Sequence, residues 1–163
     1  PVSVWDNVHL AAQSRAQHAT RWLRRAQNFP DTRERCERAL ELAGLADRRG
    51  SIAGTISHGE QRQLEIAMCL ATEPQVLLLD EPLAGMGHAE AERMVELLLR
   101  LKEGHAMLLV EHDMDAVFAL ADHLTVMVNG QVIASGAPAA VGADAAVQAA
   151  YLGEEGEDSH GGH

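Results

Sequence analysis

Two short apolar runs in this chain each stop at carboxylates, and that pattern constrains the fold more than any other feature. Val76 to Leu79 ends at Asp80-Glu81-Pro82, and Ala106 to Val110 ends at Glu111-His112-Asp113. Continuous apolar runs of this length suit strands covered on both faces, as in parallel sheets. Between them, residues from about Ala89 to Leu101 carry Ala91, Met94, Val95 and Leu98 on one stripe, the period of a helix. Strand, helix and strand in this order predict a right-handed βαβ unit. Parallel strands bring their C-terminal ends to one sheet edge, so Asp80, Glu81 and His112 are expected to converge there. In open α/β sheets that edge is where ligands bind.

The rest of the chain reads as helices around this unit. Val2 to Gln27 is expected to be helical, with Ser3 or Asp6 as N-cap and Pro30 beyond its end. A second helix runs from about Asp31 to Ala43 and stops at Gly44, and residues 45–56 form a connector. The helix after Ser57 is apolar on most sides, which predicts burial. Asp113 to Ala121 is a further short helix. Leu124 to Val128, Asn129-Gly130 and Gln131 to Ile133 spell a hairpin with a type I′ turn. Two short helices are expected to end near Tyr151, and the acidic, glycine-rich stretch from Gly153 to be disordered. His160 and His163 belong to that stretch and read as part of a floppy tail rather than a metal site.

Composition narrows the partners. A length of 163 residues allows one respectable core, and no apolar run approaches membrane-spanning length. The net charge of −11 argues against nucleic acid as a main partner. Residues 1–49 are the exception, with nine arginines against six acidic residues. Arg15, Arg21, Arg24 and Arg25 form either a solvated helix face or a docking face for another chain. Cys36 and Cys69 lack metal-type spacing and sit in apolar helical registers, so both are expected to be buried, reduced thiols of a cytoplasmic protein.

Ser57-His58-Gly59-Glu60 admits two compatible readings. S-x-x-E is a capping box that satisfies free amides at a helix start. The same free amides, with a glycine that admits close approach, also make an anion site. His112 alone could be a satisfied edge histidine. Together with Asp80 and Glu81 it offers what nucleotide hydrolysis needs: a metal-side carboxylate, a water-polarising carboxylate and a donor to the terminal phosphate. No GxxxxGK[ST] loop is present, and Lys102 is the only lysine in the chain. The residues that would cradle phosphates are therefore missing, and the sequence reads as the back half of an ATPase domain.

The ordered set Ser57-His58-Gly59-Glu60-Gln61, Leu77-Leu78-Leu79-Asp80-Glu81-Pro82, Ala84-Gly85-Met86-Gly87 and Glu111-His112-Asp113 resembles the ATP-binding subunits of ABC transporters. The likeness runs from about residue 2 to 153. SHGEQRQLEIA, LLVEHDMDAV and the closing Ala150 to Glu154 are most similar to branched-chain amino acid importers, with urea-import and lipopolysaccharide-export ATPases as near alternatives. The resemblance implies an α/β fold, the P-loop NTPase (RecA-like) core portion with the ABC helical subdomain, its Walker A part absent. It implies a helical subdomain over 1–72, the second part of the core over 73–153 and a tail over 154–163.

By position, it implies that Asp80 holds Mg²⁺ through water, Glu81 is the general base and His112 contacts the γ-phosphate. Ser57, His58, Gly59 and Glu60 stand in the signature motif, with His58 in place of Gly and Glu60 in place of Gln. Ser57 and Gly59 would bind ATP held mainly by a second ATPase subunit. Gly87 stands where the D-loop usually has Asp. The implied partners are that second subunit, membrane permease subunits and, indirectly, a solute-binding protein, with the ATPase peripheral on the inner face of the plasma membrane. Alone, these 163 residues are expected to bind nucleotide poorly. A chromosome-maintenance or repair ATPase is a rival reading, disfavoured because no sustained heptads precede Ile56.

Overall fold

The computed structural model describes residues 2–14 and 30–150. These fall into two compact units that divide between Glu111 and His112.

The first unit opens with α1 (Val4–Gln13) and α2 (Pro30–Leu42), followed by two 3-10 turns at Ala46–Arg48 and Ala53–Thr55. Of the two candidate caps, Ser3 is the one used. Its hydroxyl accepts from the Asp6 amide at 3.0 Å, and the Asp6 carboxylate returns the bond. The remainder of the long helix expected to reach Gln27, and the arginine cluster on it, lie outside the described residues. The connector is ordered by the start of α1. The amides of Val4 and Trp5 donate to Ser51 O and Arg49 O at 2.9 and 3.0 Å, and the Arg49 guanidinium stacks 4.8 Å over the Trp5 ring.

Next comes α3 (His58–Leu70), which packs with α1 and α2. Val8, Ala12, Cys36, Ala39, Leu40, Leu64 and Ala67 are among the buried residues of these three helices. Each large aliphatic side chain buried in this way contributes about 1.5–3 kcal/mol. The burial of α3 is narrower than its composition predicts. Leu64, Ile66, Ala67 and Leu70 are inside, while Glu65 and Cys69 are exposed. Cys36 is buried as expected and Cys69 is not; it lies at the margin of a face whose Ile66 and Leu70 are buried.

Strands β1 (Val76–Asp80) and β2 (Ala106–Val110) flank α4 (His88–Lys102) and pair in parallel, with Val76 opposite Ala106 and Asp80 opposite Val110. The order of strand, helix and parallel strand is therefore as read from the sequence. The buried stripe of α4 is Met94, Leu97, Leu98 and Leu101, rotated slightly from the one predicted.

The expectation of strands covered on both faces is corrected. Leu77 is 3% exposed, but Leu78 and Leu108 are 73% and 62% exposed, and Val76 and Val110 share their open face. The described elements of the unit supply cover for one face of the pair only. An ionic clamp steadies the approach to β1: Glu73 accepts from Arg35 Nε at 3.1 Å and from Arg38 at 2.9 Å, joining α2 to the loop after α3.

The second unit begins at His112. Helix α5 (Met114–Leu120) is capped by Asp113, whose carboxylate accepts from the Ala116 amide at 3.1 Å. Strands β3 (Leu124–Val128) and β4 (Gln131–Gly136) form the predicted antiparallel hairpin, with a register shift between Val126 and Met127. Asn129 and Gly130 have φ of 49° and 76°, the paired positive values that a type I′ turn requires. Helix α6 (Pro138–Gly142) follows, and residues 145–150 are helical. The acidic stretch expected to be disordered lies outside the described residues.

Candidate functional site

The C-terminal edge of the parallel pair holds the first group of site residues. Asp80 closes β1, and the Glu81 amide still donates to Val110 O at 2.9 Å, one residue past the strand. At Glu81 the backbone turns sharply, with φ of +45°. That region is uncommon for residues with a side chain, and a residue before proline is normally held extended. Such enforced conformations gather at functional sites.

Hydrogen bonds from successive amides hold the turn that follows. Leu83 N donates to the Glu111 carboxylate at 2.9 Å, and Ala84 N to Glu81 O at 3.1 Å. Asp80 and Glu81 are both exposed, so the two adjacent carboxylates stand here without the desolvation cost that burial would impose. The reason is the open sheet face, which Asp80 shares with Val76 and Leu78. His112 is exposed and is the first residue of the second unit.

The second group is the turn at the start of α3. Ser57 Oγ accepts from the Glu60 amide at 3.2 Å, and Glu60 Oε2 accepts from the Ser57 amide at 2.8 Å, so the capping box is formed. Arg48 Nε donates to the other Glu60 oxygen at 2.7 Å. The Ser57 amide, and then Arg48, hold the Glu60 carboxyl below its usual value of 4.5. Gly59 is buried, and a Cβ there would stand 3.1 Å from Glu90 Oε1.

His58 reaches the strand-end turn, with Nε2 3.3 Å from Ala84 O. Gly85, at φ of +74°, leaves room for that ring. Gly87 is the N-cap of α4, has no side-chain cap bond and faces open space. Ser57, Gly59, Glu60, Gln63, Glu90 and Arg93 line a shallow depression over the α3 turn.

Sequence reading missed Glu90, because no local pattern links it to a turn more than thirty positions earlier. It quoted Glu111 without giving it the task of holding the turn after β1. Among the described residues no group of three or more His, Cys, Asp or Glu side chains could enclose a metal ion. Mg²⁺ does not need such a cage. It keeps several waters and is bound through one or two carboxylates plus substrate phosphates, and exposed Asp80 at a strand edge fits that donor set.

Solved structures that share this parallel βαβ unit and its helices are α/β ATP-binding cassettes. The ADP conformation of MJ1267, an ATP-binding cassette of an ABC transporter, superposes with a TM-score of 0.78 at 29% identity, over 93% of this chain and 63% of that one. The cbiO1 protein from Clostridium perfringens, part of the ABC transporter complex cbiONQ, gives 0.73 at 28% identity, over 88% of this chain and 54% of that one.

The ABC transporter family profile matches residues 2–84, and a profile described as branched-chain amino acid ATP-binding cassette transporter matches residues 131–157. The chain belongs to the ABC transporter ATP-binding family.

Among curated relatives, it is 40% identical to the high-affinity branched-chain amino acid transport ATP-binding protein BraF of Pseudomonas aeruginosa, over 71% of this chain and 46% of that one. It is 38% identical to LivG of Escherichia coli K12, with the same description, over 80% and 51%. It is 46% identical to the aliphatic sulfonates import ATP-binding protein SsuB 1 of Pseudomonas fluorescens, over 79% and 45%. The chain thus spans about half the length of these relatives.

Proposed function

We propose that these residues belong to an ATP-hydrolysing subunit that powers import of branched-chain amino acids through a membrane permease. The observation that carries the hydrolytic reading is the strand-end geometry. Glu81 is fixed at positive φ directly after Asp80, on the edge where α/β sheets take ligands. In this reading Glu81 polarises the attacking water and His112 donates to the γ-phosphate. Asp80 would hold Mg²⁺, and the ion would supply positive charge to the phosphates. Ser57 and Gly59 contact the γ-phosphate of ATP bound by a second ATPase subunit, alongside His58, Glu60 and the D-loop position Gly87.

The absent phosphate loop and the open face of β1 and β2 point the same way. The remainder of the cassette covers that face and brings the P-loop, so the 163 residues alone bind MgATP weakly. A tight calorimetric signal for MgATP on this chain would contradict that. The boundary between helical subdomain and core falls at 72/73, inside the first compact unit. No helix among the described residues is long and apolar enough to cross a membrane, which suits a subunit peripheral to its permease on the inner face of the plasma membrane. The acidic balance disfavours nucleic acid as partner.

The deciding experiment is Glu81→Gln in the whole protein. Loss of a general base lowers turnover by about 10²–10⁴-fold, read as phosphate release, and undiminished hydrolysis would remove the assignment. The cargo reading rests on the match at residues 131–157 and on the two relatives described as branched-chain amino acid transport proteins. Aliphatic sulfonate import is a second reading, favoured by the 46% identity to that importer's ATP-binding protein. Uptake of labelled leucine against a labelled sulfonate, in cells with and without the intact gene, separates them.

A further inference from the structure

Glu90, in the first turn of α4, lies against the Ser57–Glu60 turn. Its Oε1 accepts from Ser57 Oγ at 3.2 Å and sits 3.1 Å from where a Cβ on Gly59 would be. The missing side chain of Gly59 is what admits the carboxylate so closely. The start of α3 carries the partial positive charge of its free amides and favours an anion. That anion is now a carboxylate of the same chain.

A serine hydroxyl has one hydrogen to donate, so Ser57 Oγ can serve Glu90 or a phosphate oxygen, but not both. The two nearby carboxylates differ in how firmly they are held. Glu60 is bound by the Ser57 amide and by Arg48. Among the described residues, no cation pairs with Glu90. Glu90 is therefore the carboxylate that can leave, and Glu60 the one that stays to order the turn.

We propose that Glu90 is a built-in placeholder for phosphate at this turn: it holds the Ser57 hydroxyl and must swing away before a phosphate can be taken. The inference rests on the reading of Ser57 and Gly59 as phosphate contacts, and it adds a gate to that contact. Its removal should make the turn a better anion site.

The test is a titration of the 163-residue chain with inorganic phosphate, followed by the amide NMR shifts of Gly59 and Glu60. Glu90→Gln keeps an acceptor for the Ser57 hydroxyl but removes the competing charge. It is expected to half-saturate at a phosphate concentration lower by about fivefold or more, the low end of typical coupling between sites. Glu90→Ala should follow in the same direction. Unchanged shifts at other amides confirm that each variant keeps the fold.

Equal or weaker phosphate binding by Glu90→Gln, with wild type responding at Gly59, overturns the placeholder and leaves the phosphate reading standing. A Gly59 amide that is silent in wild type and in both variants overturns the two together. A purely positional role for Glu90 predicts that Glu90→Gln changes nothing, so a gain in affinity separates the two roles.

Discussion

Gly85 and Gly87 are two positions apart, yet substitution at them should differ in cost. Gly85 has φ of +74° and faces the His58 ring at 3.3 Å, whereas Gly87 has φ of −71° and open space beside it. Gly85→Ala is expected to lower stability by about 1–2 kcal/mol, the penalty for a Cβ in the left-handed region. Gly87→Ser, which keeps a residue favoured at an N-cap, should stay within about 0.5 kcal/mol. Urea unfolding of the two variants checks this, and equal midpoints would refute the backbone argument.

The thiols make a second contrast at this scale. Burial is the leading cause that pushes both upward, Cys36 to about 11, but Cys36 is enclosed and Cys69 is at the surface. Iodoacetamide near pH 8 is therefore expected to label Cys69 in the folded chain, and Cys36 only in denaturant. Comparable rates for the two would contradict the packing of α2. The sequence could not separate them, since both lie in apolar registers and only tertiary contact decides which register is covered.

Helix α3 shows how one turn both orders a helix and makes its stability depend on pH. Its capping box satisfies amides at the N-terminus, and Ser57→Ala is expected to cost about 1 kcal/mol. Glu60 adds a dependence on pH whose sign follows from its lowered carboxyl value. A carboxyl held lower in the folded state contributes stability that is complete above its ordinary 4.5 and fades as pH falls through the folded value. Glu60→Gln should thus be less stable than wild type at pH 7, by no more than a few tenths of a kcal/mol at this solvent-screened, partly buried site. The gap should close below pH 4.5. Unfolding curves of both proteins between pH 7 and 3 read it directly, and a gap that persists in acid would assign the loss to something other than the charge.

The same element marks the reach of sequence reading. The box was legible because its partners are three residues apart, and the Asn129-Gly130 turn because its conformation is encoded in two residues. Glu90 on Ser57 and Glu111 on Leu83 were not assigned, because such contacts depend on how separate elements pack. The wide apolar surface read for α3 narrowed for the same reason.

At the scale of the molecule, the decisive observation is a parallel pair with one face covered and one open. Parallel strands gain their stability from cover on both sides, and the apolar runs at Val76 to Leu79 and Ala106 to Val110 are written for that situation. The sequence therefore describes a more complete environment than the described residues provide, which is why burial of these strands was overestimated while their pairing was read correctly. A direct consequence follows for Leu78 and Leu77, neighbours on β1 that point to opposite faces. In the 163-residue chain, Leu78→Thr is expected to change stability by less than about 0.5 kcal/mol, as for other exposed positions. Leu77→Ala should cost about 2–5 kcal/mol through lost burial and the cavity left behind. In the proposed whole protein the first of these changes character. If the remainder of the cassette lies on the open face, Leu78→Thr places a hydroxyl in an apolar contact and should then cost about 1–3 kcal/mol. Denaturation of both variants in both chain lengths measures the difference, and a Leu78 effect that is equally small at both lengths would refute the proposal that further cassette residues cover these strands.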